Sequence, residues 1–160
     1  VRTACHLQAS NTAWDAIWKT GAHRREEART LERARAMLRL MDLARLEDAP
    51  AAMLPYGLQR RLEIARALAS GPKLLLLDEP AAGMNPQETA ELMALIQRIR
   101  DEFGPAVLLV EHDMQVVMGI CERVSVLDYG IRIAEGTPAE IRRHPKVIEA
   151  YLGPEGAAHA

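Results

Sequence analysis

The chain has 160 residues, 49% of them hydrophobic, which is about one domain with enough apolar side chains for a core. Its 20 lysines and arginines nearly balance 22 aspartates and glutamates, so a net charge of −2 gives no support to a basic nucleic-acid footprint or an acidic tail. The longest apolar runs, residues 74–77 and 106–110, are too short to cross a bilayer, and no secretory leader pattern opens the chain. Two distant cysteines, Cys5 and Cys121, suit reduced thiols in a cytosol rather than a metal knuckle. These features describe a soluble, intracellular, globular chain. Val1 is not Met, so the chain either starts at an unusual codon or lacks its front.

Residues 11–19 carry Trp14, Ile17 and Trp18 at helical spacing, a stripe that reads first as core. A long amphipathic helix is predicted over residues 24–46, with Leu31, Ala34, Leu38 and Met41 on one face. An Ala/Pro connection follows, then a helix over residues 58–70 that Gly71-Pro72 should stop. Residues 73–77 are apolar on both faces, as in a strand buried within a parallel sheet. Residues 88–99 return to helical spacing behind Pro86. Ala106–Val110 is a second buried strand, and residues 114–121 form another helix. Residues 124–127 and 131–134 should pair across Tyr129-Gly130. Thr137 then caps a short helix with Glu140 completing a capping box, and the tail from Gly153 should fray. Strands alternating with helices predict an α/β fold: a parallel sheet flanked by helices, with a helical subdomain in front. The expected organisation is residues 1–53 as the helical portion, 54–136 as the core, and 137–160 as C-terminal helices and tail.

The strongest chemical signal is Leu74-Leu-Leu-Leu-Asp78-Glu79-Pro80. A strand ending in adjacent carboxylates puts both at the carboxyl edge of a sheet, where α/β ligands bind. The first suits Mg²⁺, which takes hard oxygen ligands and retains water, and the second can orient or deprotonate an attacking water. Upstream, Leu54-Pro55-Tyr56-Gly57-Leu58-Gln59-Arg60-Arg61 places a glycine just before a helix, where backbone N–H groups can meet an anion. Downstream, His112 follows the next strand within Val110-Glu111-His112-Asp113. Each signal alone would suit an ordinary turn; their order is what discriminates.

That order resembles the nucleotide-binding subunits of ATP-binding cassette transporters, members of the P-loop NTPase-like class. Leu54 to Arg61 resembles the signature motif, Leu74 to Glu79 the Walker B strand with its catalytic glutamate, Ala82-Gly83-Met84-Asn85 the D-loop, and His112 the switch histidine. Pro-Tyr-Gly, Leu62-Glu-Ile-Ala-Arg-Ala-Leu-Ala69, Asp78 to Pro86 and Val147-Ile-Glu-Ala-Tyr-Leu-Gly153 are similar to ATPase subunits of branched-chain amino acid importers. The resemblance implies ATP and Mg²⁺, a second ATPase subunit, transmembrane permease subunits, and a place on the cytoplasmic face of the inner membrane, with no nucleic acid partner. It gives Asp78 to Mg²⁺, Glu79 to the attacking water, and His112 to the γ-phosphate. Pro55, Tyr56, Gly57, Leu58, Gln59 and Asn85 would meet ATP held by the partner subunit. The helical region of residues 11–46 would lie near the permease contact.

Several departures stand out. Pro55 and Tyr56 replace a serine and a glycine of the general signature, and Asn85 replaces the D-loop aspartate. Cys5 aligns with the glutamine of the Q-loop, with Gln8 out of register. No Gly-Lys pair occurs, because Lys19, Lys73 and Lys146 follow Trp18, Pro72 and Pro145, so no P-loop is present in these residues. The expectation is the C-terminal portion of an importer ATPase, inactive by itself and exposing sheet edges and apolar surface. The alternative is a nonenzymatic partner that lends its signature face to a complete subunit.

Overall fold

The computed structural model describes residues 1–5 and 21–156. It divides into two units, Val1–Val110 and Glu111–Ala160. The expected helix around Trp14, Ile17 and Trp18, and the position of Gln8, lie outside the described residues.

In the first unit, α1 (Arg2–Cys5) packs on α2 (Gly21–Leu40), which packs on α3 (Tyr56–Leu68). A small cluster of Cys5, Ala34 and Ala69 joins all three segments, with Val1, Ala4 and Met37 around it. The second helix ends six residues earlier than residues 24–46 predict. Asp42 adopts a left-handed φ of 58°, and the chain turns through short 3₁₀ segments at Ala44–Leu46 and Ala51–Met53. Met41 and Leu43 remain buried beyond that end, whereas Leu31, expected on the buried face, is exposed.

Leu74–Asp78 (β1) and Ala106–Val110 (β2) pair in parallel, Leu74 opposite Ala106 and Asp78 opposite Val110. Between them runs α4 (Pro86–Phe103), which buries Leu92, Met93, Leu95, Ile96 and Ile99 and ends at Gly104. The parallel pairing agrees with the sequence; burial of both faces does not. Leu75 and Leu77 are buried, but Leu74 is 51% and Leu76 65% exposed, and Leu108 and Val110 are exposed beside them. A run of leucines reads alike on both faces, and its burial depends on what covers each face. Among the described residues only one face of β1 is covered.

In the second unit, α5 (Met114–Ile120) precedes an antiparallel hairpin of β3 (Val124–Asp128) and β4 (Ile131–Gly136). The hairpin turns at Tyr129 and Gly130, whose φ values of 45° and 79° give the two positive angles of a type I′ turn. Pro138–Arg142 (α6) opens with the expected Thr137–Glu140 capping box, and Pro145–Gly156 (α7) follows. The last helix runs past Gly153, where fraying was expected. Ala134, Ile141 and Val147 form this unit's core, with Met114, Met118, Val124, Val126 and Ile133 packed around it.

Candidate functional site

Asp78 is the last residue of β1, one position beyond the predicted strand end, and Glu79 follows in a left-handed conformation with φ 42°. The Glu79 N–H donates to the Val110 carbonyl at 2.9 Å, so the turn is fastened to the end of β2. Ala82 N–H donates to the Glu79 carbonyl at 3.1 Å, and Met84 N–H to Ala81 at 3.1 Å. Pro80 is buried beneath this turn, while Asp78 and Glu79 are both exposed. The turn thus presents two adjacent carboxylates to solvent.

The helix expected from Leu58 begins two residues earlier, at Tyr56, so Tyr56 and Gly57 join Leu58 and Gln59 in its first turn rather than forming a loop before it. Its cap position is Pro55, which supplies no side-chain hydrogen bond. Gln59 Nε2 instead reaches back to the Leu54 carbonyl at 2.7 Å and closes the turn around the proline. Leu58 and Gln59 N–H groups both donate to the Pro55 carbonyl at 3.0 Å.

The turn from Pro55 to Gln59 lies against the segment after Glu79. A Cβ at Gly57 would stand 3.5 Å from Glu88 Oε1, and one at Gly83 would stand 3.5 Å from Tyr56 Cε1. Gly83 has φ +75°, a left-handed conformation that glycine enters without Cβ strain. Asn85, assigned by resemblance to nucleotide contact, caps α4: its Oδ1 accepts the Glu88 N–H at 2.9 Å, and Glu88 Oε2 accepts the Asn85 N–H at 3.0 Å. Arg61, the last residue of the run from Leu54 to Arg61, donates to Glu91 at 2.6 Å and stands 3.5 Å from Asp42. Its side chain is 15% exposed. Neither partner is near it in sequence, so nothing local signals the link.

His112 belongs to the second unit, two residues after β2. Its imidazole is exposed, and its backbone N–H donates to Glu111 Oε2 at 3.3 Å. Asp113 caps α5 by accepting the Gln115 N–H at 2.8 Å. Cys5, aligned with the Q-loop glutamine, is buried in the small-residue cluster of the first unit. Cys121 is half-buried, and burial pushes its thiol above the ordinary range. No cluster of three or more His, Cys, Asp or Glu that could hold a metal occurs among the described residues. No helix among them is long and apolar enough to cross a membrane.

The family described as ABC transporter matches residues 2–82, and one described as branched-chain amino acid ATP-binding cassette transporter matches residues 132–153. The chain belongs to the ABC transporter family. Within it, the chain is 47% identical over 94% of its length to the high-affinity branched-chain amino acid transport ATP-binding protein LivG of Salmonella typhimurium. Identity to LivG of Escherichia coli K12 is 45% over the same share, and the chain spans 59% of the length of each relative. A crystal structure of a nucleotide-free ATP-binding cassette from an ABC transporter aligns with a TM-score of 0.74 at 26% identity, covering 95% of this chain and 61% of that one. The expected ATP-binding-cassette fold class is thereby borne out.

Proposed function

We propose that the chain supplies the signature and Walker B parts of an ATP-binding subunit that energises branched-chain amino acid import. The observation that carries this reading is the 47% identity to LivG across 94% of the chain. In this reading Asp78 holds Mg²⁺; an exposed pair of carboxylates suits an ion that takes one or two of them and otherwise keeps water and phosphate oxygens. When bound, the ion neutralises charge on the phosphates. Glu79 orients the attacking water and receives its proton, and His112 hydrogen-bonds the γ-phosphate. The first turn of α3, from Pro55 to Gln59, together with Asn85, faces ATP held by a second subunit. The subunit itself sits on the cytoplasmic face of the inner membrane, and transmembrane permease subunits carry the solute.

These residues include no Gly-Lys pair, so the 160-residue chain by itself should not turn over ATP. The same observation favours a second reading, in which the chain lends its signature face to a complete subunit without hydrolysing ATP itself.

The test is a chimera in which this chain replaces the matching part of E. coli LivG, introduced into a strain lacking LivG. Leucine uptake should return and should be lost with Glu79→Gln. A chimera that reaches wild-type LivG levels, yet gives no uptake above the deletion strain, sinks the importer reading.

A further inference from the structure

Three contacts run along one side of the signature helix. Tyr56 covers Gly83, Gly57 faces Glu88 and Met84, and Arg61 pairs with Glu91. The first is the least expected, because Tyr56 stands where the general signature has glycine. Arg60 holds the ring in place: its guanidinium lies 5.2 Å from the ring centroid, and its Nε donates to the tyrosine hydroxyl at 3.0 Å. Arg60 is anchored in turn by Glu63 at 2.8 Å. The ring lies at ordinary van der Waals distance from where a Cβ at position 83 would stand, and the φ of +75° there is a left-handed conformation that favours glycine.

We infer that Tyr56 is a positioning residue that locks the 82–85 turn to the first turn of α3. The signature and the D-loop are then presented to the partner subunit's ATP as one preformed surface. This rests on the reading above that both segments meet that nucleotide. Pro55 removes the hydroxyl that the general signature offers to the γ-phosphate. Preorganisation offsets such a loss, because a surface already in its bound shape forfeits less conformational entropy on closure.

Two readouts on the full chain test the inference. In hydrogen exchange, the Ala82 and Met84 amides report on the turn, and the Glu79 amide, bonded to Val110, is the internal control. Tyr56→Ala should speed exchange at Ala82 and Met84 by about tenfold or more and leave Glu79 unchanged, as expected for local opening. Tyr56→Phe, which keeps the ring and its stacking with Arg60 but loses the hydroxyl hydrogen bond, should show a far smaller change than Tyr56→Ala. The second readout is the ATP concentration for half-maximal association with E. coli LivG, which should rise several-fold in Tyr56→Ala and not in Tyr56→Phe. Unchanged exchange at Ala82 and Met84 in Tyr56→Ala overturns the inference, as does an equal effect of Tyr56→Phe. If Tyr56→Ala fails to fold, Tyr56→Leu is read in the same way. If wild-type chain does not associate with LivG in ATP, the functional reading falls, while the exchange result still decides the role of Tyr56.

Discussion

Asn85 shows how one side chain serves two descriptions. The family pattern has an aspartate here, and the structure uses the asparagine to begin α4 through a reciprocal capping box. An aspartate would cap equally well and would add favourable charge at the helix N-terminus. Asn85→Asp should therefore leave stability unchanged or slightly raised, whereas Asn85→Ala should cost about 1 kcal/mol. Urea unfolding of both variants checks this, and a neutral Asn85→Ala would mean the cap is not holding the helix start. The signal was present in the sequence as Asn85-Pro86-Gln87-Glu88, a cap followed three residues later by glutamate. The Tyr56–Gly83 contact had no such signal, because it joins residues 27 positions apart whose meeting depends on how α3 and α4 pack.

At the scale of elements, the turn from β4 into α6 is the most tightly determined piece of the second unit. Glu140 Oε2 accepts from both the Thr137 N–H at 2.7 Å and the Thr137 hydroxyl at 2.9 Å. The backbone bond first, and the hydroxyl second, hold the Glu140 carboxyl below its ordinary range. Glu135 is held low in the same way, first by its hydrogen bond from Arg123 and then by the charge of Arg132. A depressed carboxylate stabilises the fold above its unfolded-state pKa and loses that contribution as pH falls through the lower folded value. Melting of the second unit should thus drop as pH falls below about 4.3, the ordinary glutamate value, and Glu140→Gln should flatten the slope. Circular dichroism melts between neutral and acid pH measure this; an unchanged slope would show that the bonds are not formed in solution. A Cβ on Gly136 would lie 2.7 Å from Glu140 Oε2, so this glycine leaves room for the cap. The capping box and the Tyr129-Gly130 turn were legible because their chemistry lies within a few consecutive residues. The end of α2 was not, because Asp42 and the buried Met41 and Leu43 continue the helical apolar spacing past the point where the backbone turns.

For the whole molecule, the uncovered face of the β1–β2 pair sets the solution behaviour. Leu74, Leu76, Leu108 and Val110 together present apolar surface, and the described sheet of the first unit has only two strands. Such a face and such edges favour association. Sedimentation velocity of the 160-residue chain should show weight-average mass rising with concentration, and Leu76→Thr should reduce it. A monomer at every concentration would mean this face is not sticky. The parallel order of the strands was readable from alternating helix and strand signals, but the exposure of one face was not, since four leucines in a row carry no information about which side is covered.

The backbone at Glu79 carries a wider consequence. A left-handed φ of 42° at a residue other than glycine costs roughly 1–2 kcal/mol. Glycine would relieve that strain while removing the carboxylate that the proposed hydrolysis needs. Selection for thermal robustness alone would therefore drift position 79 toward glycine, and selection for turnover would restore the acid. A library screened twice, once for each property, would show opposite preferences at this one codon.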